Sequence, residues 1–155
     1  MPRVGEQDNG ERAPMRIAVV TLAKGKADIE AALEAGARLS ALQELQNDWP
    51  PLYQSPIIYQ RETDTHGGHR EERFLTRALI ERLGWGDCDD LCIARVGELR
   101  ATGEDPGARA IAYEQRAGSG RWHIVVRRSS GEIEDPSANL GMFERLPRPP
   151  FPRVR

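Results

Sequence analysis

The chain has 155 residues, 22 basic against 24 acidic, 39% apolar and 6% aromatic, with 15 glycines and 11 prolines. That length suits one domain with a modest core and tails, and a formal net charge of −2 excludes a nucleic-acid binder that works by bulk positive charge. No apolar run approaches the ~18 residues of a spanning helix, and Met1–Pro14 lacks the apolar stretch of a signal peptide. The expectation is a soluble chain, cytoplasmic in the cell that makes it, with no membrane partner and with nucleic acid disfavoured.

Taken in chain order, residues 1–14 are rich in Gly, Pro and charge and read as a disordered arm. Residues 15–50 hold a strand and a helix. Arg16–Leu22 is β-branched and apolar, a short buried strand. Asp28–Leu45 has helical spacing on a stripe of Ile29, Ala32, Leu33, Leu39, Leu42 and Leu45, with Gly36 on the same stripe permitting close packing. Pro50-Pro51 stops that helix.

Residues 51–145 form the core unit. Leu52–Gln60 is extended, with Pro56 confining it to an edge or loop, and Arg61–Gly68 is a polar loop. Glu71–Leu83 reads as a second helix with Phe74, Ala78, Leu79 and Leu83 on its inner face. After a tight break at Gly84-Trp85-Gly86, Asp87–Ala101 is a third helix closed by Gly103. Ala108–Gln115, Arg121–Arg127 and Glu132–Asp135 read as strands joined by turns at 117–120 and 128–131. Residues 146–155 hold four prolines and three arginines with no acid, an extended basic arm suited to docking a neighbouring subunit. Helices first and an antiparallel meander last make the fold class α+β.

The chemistry centres on Gly86-Asp87-Cys88-Asp89-Asp90. Asp87 can cap the third helix, which places Cys88 at the first helical position, where orphan N–H groups and the helix dipole favour an anion. A thiolate there is a usable nucleophile. Three flanking carboxylates oppose that charge, so a cationic partner is required. Cys88, Cys92, Val96 and Leu99 form one inward stripe, and Cys92 reads as a plain buried thiol. Four residues apart, the two cysteines do not suit a disulfide and read as free.

His123 is the candidate partner. Strand alternation puts Trp122, Ile124 and Val126 on one face and His123, Val125 and Arg127 on the other. A three-residue turn Ser129-Ser130-Gly131 would set Val125 opposite Asp135 and make His123 its diagonal neighbour. Taking Arg128-Ser129-Ser130 as the loop would put His123 directly opposite Asp135. A two-residue Ser130-Gly131 turn would flip Asp135 to the other face. In either odd-length case Asp135 orients the imidazole, His123 takes the Cys88 proton and returns it to a leaving amine, and the Cys88 N–H helps bind the oxyanion. Trp85, Tyr59 and Gln60 are candidates for a second oxyanion donor or a substrate wall.

These residues resemble a known family. Gly-Asp-Cys-Asp-Asp at 86–90, Trp122-His123 and Asp135-Pro136 arrive in the order of the transglutaminase-like cysteine peptidases, relatives of papain-type enzymes. The phrases Gly-Trp-Gly-Asp-Cys-Asp-Asp-Leu, Glu-Leu-Arg-Ala-Thr-Gly, Trp-His-Ile-Val-Val-Arg and Glu-Asp-Pro-Ser-Ala-Asn-Leu-Gly-Met look like a compact version encoded by bacteriophages and prophages, over roughly Pro51–Met142. The resemblance implies a papain-like core with the nucleophile helix packed on a small antiparallel sheet, and Cys88, His123 and Asp135 as triad. It implies a peptidase, amidase or transglutaminase-like acyl transferase acting on a protein substrate. A deamidase acting on one glutamine of a partner is a third outcome. The alternative is a non-catalytic virion structural or assembly protein, docking a virion partner and incorporated in a phage particle.

No cofactor is called for. Asp87-x-Asp89-Asp90 reads as capping and dipole compensation before it reads as a cation cluster, and His66 and His69 as surface residues of a polar loop before they read as metal ligands. No metal is expected.

Overall fold

The computed structural model describes residues 19–21, 25–61 and 72–143. Both arms and the His66–His69 loop lie outside the described residues. Among the described residues, seven short strands and four helices make an α+β arrangement: β1 (Val19–Thr21), α1 (Lys26–Gln46), β2 (Ile58–Tyr59), β3 (Glu72–Phe74), α2 (Arg77–Leu83), β4 (Trp85–Gly86), α3 (Cys88–Ala101), β5 (Arg109–Glu114), β6 (Trp122–Arg127), β7 (Ile133–Glu134) and α4 (Pro136–Asn139).

The long first helix forms as expected, but its buried stripe is Ile29, Ala32, Leu33, Gly36, Ala37 and Ser40, an i, i+3, i+4 pattern of mostly small residues. Leu42 and Leu45 are 57% and 69% exposed, because the last turns of α1 run past the core. The small residues set a close crossing with α3. A Cβ added at Gly97 would lie 2.6 Å from Ser40 Cβ and 2.8 Å from the Ala41 backbone nitrogen, and one at Gly36 would lie 2.8 Å from Ile93 Cδ1.

The expected helix Glu71–Leu83 is corrected in its first half. Glu72–Phe74 is a strand that pairs antiparallel with β1, Val19 opposite Phe74, and the helix begins only at Arg77 with Ile80 as its buried apolar residue. Ala78, Leu79 and Leu83 are half-buried. Gly84 ends α2 in the left-handed conformation, φ +78°, with its N–H on Ile80 O, the geometry that favours glycine. The expected extended segment 52–60 starts instead with a single 3-10 turn at Leu52–Gln54. It then pairs Ile58 and Tyr59 in parallel with Trp85 and Gly86 of β4, so the glycine-flanked break contains a strand.

α3 is the central element, buried nearly all round. Its Cys92, Ile93, Val96 and Leu99 join Ile29, Leu33 and Phe74, with Ile124 and Val126 of β6, in one apolar cluster. Leu91 and Ala94 join Leu52, Ile57 and Ile80 in a second. Each fully buried Leu or Ile stabilises the fold by roughly 1.5–3 kcal/mol.

Beside that second cluster lies a buried ion cluster. The Arg77 side chain is fully buried, with Glu44 at 3.0 Å, Glu81 at 2.7 Å and Glu98 at 3.9 Å. It donates to Pro50 O at 2.7 Å and lies 5.6 Å from the centre of the Trp49 ring. Glu98 in turn accepts the Leu52 N–H at 3.1 Å, which ties α3 to the 3-10 turn.

Candidate active site

The start of α3 is fixed by a reciprocal cap. Asp87 accepts the Asp90 N–H at 3.5 Å and Asp90 accepts the Asp87 N–H at 3.1 Å, satisfying two donors at once. The other Asp90 oxygen accepts the Leu75 N–H at 2.7 Å, so the cap also anchors the link between β3 and α2. Cys88 is therefore the first helical residue, half-buried at the edge of the first apolar cluster.

The hairpin from β6 to β7 takes the three-residue turn. Arg128 N–H bonds Glu132 O at 2.8 Å, Gly131 has φ +92°, and Val126 pairs Glu134, which puts Val125 opposite Asp135. His123 and Asp135 are diagonal neighbours, and the imidazole Nε2 lies 2.8 Å from Asp135 Oδ2. Clamps at the turn hold this register. Asp105 accepts the Ser129 N–H at 3.0 Å and Arg128 Nε at 3.0 Å, and Arg128 also reaches Glu134 at 3.0 Å.

Asp135 is held from its other side as well. Its Oδ1 accepts the N–H groups of Ser137 and Ala138 at 3.0 and 3.2 Å, capping α4, a short helix that sequence reading missed. The signal for it was Asp135-Pro136, an N-cap followed by proline at the first helical position. Facing a carboxylate, Nε2 carries the imidazole hydrogen and Nδ1 is left as the basic nitrogen. Tyr113, directly opposite His123 on β5, meets the ring edge-on with centroids 5.4 Å apart. Sequence reading missed Tyr113 too, although β5–β6 pairing determines it.

The structure links cysteine to histidine through the backbone of the next residue. Ile124 points its N–H and C=O toward the β7 side of β6, where the ladder has already ended, since its opposite number in this register is Pro136, which has no N–H. Cys92 Sγ donates to that free carbonyl at 3.3 Å, as fits a plain buried thiol. Burial first, and then the Asp87 charge, push the Cys88 thiol up to about 12, against the opposing pull of the Ile124 and Asp89 N–H groups. The imidazole's partner is Asp135 rather than Cys88. Contrary to the expectation of a stabilised thiolate, Cys88 rests as a neutral thiol.

Of the three wall candidates, Tyr59 lies within electrostatic reach of Cys88. Burial, then the Cys88 charge, push its phenol up to about 12. Trp85 is half-buried in β4, and Gln60 bonds Gly86 O through its N–H at 2.9 Å. No hydrogen bond joins the side chain of either to Cys88 among the described residues.

Asp87, Asp89 and Asp90 place one oxygen each within 4.8 Å of the others, a set that suits a hard cation, and Asp89 Oδ2 is buried without a partner. Asp87 and Asp90 are, however, already engaged in the cap and in holding Leu75. Burial first, and then neighbouring carboxylates, push Asp89 and Asp90 well above the usual carboxylate range, so the cluster relieves its own repulsion by holding protons.

The arrangement offers a thiol at a helix start, an imidazole oriented by a doubly anchored carboxylate, and backbone donors at the sulfur. Comparison with known proteins adds nothing to this geometry: no protein-family model matches the chain, and no curated protein or solved structure shows significant similarity to it.

Proposed function

We propose that the chain is a cysteine-dependent acyl-transfer enzyme acting on protein amides, with a papain-like, transglutaminase-type core and Cys88, His123 and Asp135 as its catalytic groups. The observation that carries this reading is the 2.8 Å His123–Asp135 bond beside a cysteine that shares the Ile124 backbone.

The thiol rests neutral, so attack is general-base catalysed rather than a reaction of a standing ion pair. As Cys88 Sγ bonds to the amide carbon, its proton passes to His123 Nδ1 and the carbonyl oxygen becomes an oxyanion. Collapse breaks the C–N bond, the imidazolium gives its proton to the leaving amine, and a thioester remains on Cys88. Water or a second amine then takes the acyl group, releasing the thiol. Asp135 holds the imidazole and stabilises its charge at the midpoint.

Iodoacetamide alkylation of Cys88 tests the pairing. Removing the base in His123→Ala is expected to slow alkylation by at least about tenfold. Equal rates in the two proteins would refute the assignment.

A second reading is a non-catalytic assembly module that retains the fold. It is favoured by the Cys88 thiol itself, held near 12 among carboxylates. It predicts that Cys88→Ala leaves incorporation into a particle intact.

A further inference from the structure

A groove of about 740 Å³ runs between α1 and the outer edge of β5, away from the candidate catalytic cluster. It is lined by five cations, Lys26, Arg38, Arg100, Arg109 and Arg127, against Glu30 and Glu34. In a chain of net charge −2, that is a local reversal of sign.

The internal pairing is uneven. Glu34 takes both Arg38, at 2.9 Å, and Arg100, at 2.8 Å. Glu30 is taken by Lys26 and by the Ala112 N–H at 3.2 Å, and feels Arg127 only as the weakest of its influences. Arg109 and Arg127 are exposed and stand directly opposite each other on β5 and β6, with no ion pair of their own among the described residues. Like charges in that position repel, and an anion between them removes the repulsion.

The edge of β5 adds a second recognition element. Ala108 O is taken by Arg100 at 2.8 Å and the Ala112 N–H by Glu30, which leaves Ala110 between them as the rung facing the groove. Ala110 lines the groove, and a strand edge is where an extended peptide pairs. Two steps along the same sheet face from the Arg109–Arg127 pair lies Tyr113–His123. Four residues at ~3.3 Å each make that separation about 13 Å.

We infer that this groove binds an extended acidic segment of a protein substrate, paired on the β5 edge, with an Asp or Glu side chain held between Arg109 and Arg127. The placement relative to the attacked amide rests on the acyl-transfer reading and puts that acid about four residues away along the substrate. Binding itself does not rest on it.

The test uses the full chain carrying Cys88→Ala and fluorescence anisotropy with three labelled probes: an Asp-rich decapeptide, its Asn counterpart and a single-stranded oligonucleotide of equal charge. The acidic peptide is expected to bind at least about tenfold more tightly than the Asn peptide, the affinity of one charge-assisted contact pair, with binding weakening as salt rises. R109E/R127E should abolish the preference, and the milder R109Q/R127Q should reduce it with the melting temperature unchanged. Equal binding of the two peptides, or an unchanged preference in both variants, would overturn the proposal. So would tighter binding of the oligonucleotide, which would make the groove a nucleic-acid site. Alkylation of Cys88 in R109Q/R127Q is expected at the wild-type rate, so failure of the groove and failure of the catalytic assignment give separate signatures.

Discussion

Two buried polar centres lie against α3, and they solve opposite problems. Around Arg77 a single guanidinium is enclosed by Glu44, Glu81 and Glu98 and by a backbone carbonyl, so charge of both signs is present and every arm of the fork has an acceptor nearby. At the start of α3, Asp87, Asp89 and Asp90 crowd a thiol, and the His123 imidazole is directed to Asp135. The first centre meets its charge by pairing acids with a guanidinium, the second by holding protons on Asp89 and Asp90, so one ties elements of the fold together while the other keeps protons beside a thiol.

The comparison breaks first at Arg77. Arg77→Met should cost about 3–5 kcal/mol in urea unfolding, because three buried carboxylates lose their counterion. A loss under 1 kcal/mol would mean that the cluster is no structural centre. Next in size is Gly97→Ala, whose new methyl group meets the backbone of α1 and should cost about 1–3 kcal/mol. A neutral result would show that the helices separate freely.

At the other centre, Asp87→Asn keeps a good cap while removing a charge that raises the Cys88 pKa. Alkylation at pH 9 should quicken by about three- to tenfold, the effect of half to one pKa unit. An unchanged rate would detach the carboxylates from the thiol.

The last effect is one of pH. Burial raises Glu44 to about 7, against the pull of Arg77. Between its unfolded value of 4.5 and 7 the folded state therefore binds the extra proton, and stability must fall as pH rises through that window. Glu44→Gln removes the titration, so its melting temperature should decline less than that of wild type from pH 5 to pH 7.

Much of the geometry of the candidate site was legible because it depends on local rules. Asp87 as cap fixed the position of Cys88, and either odd-length turn brought His123 and Asp135 within reach, while the choice between them needed the structure, where Gly131 takes φ +92°. Helix α1 was legible from its period, but which of its leucines would be covered was not, since Leu42 and Leu45 depend on where the partner helix ends. The strand at Glu72–Phe74 was misread as helix because three residues carry too little periodicity to separate the two, and its partner Val19 is distant in sequence. The parallel pair β2–β4, only two residues long, has no sequence signature at all. The role of Arg77 was not legible, because its acceptors come from α1, α2, α3 and the Pro50 carbonyl.

The brevity of β7 has a wider consequence. Had the ladder continued past Glu134, a further strand residue would have closed over Ile124 and both sulfurs would have lost their main-chain neighbours. Ending it on a proline keeps the N–H and C=O of one residue unclaimed by the sheet and open to the helix. Through that residue the strand bearing the imidazole is tied directly to the helix bearing the thiols.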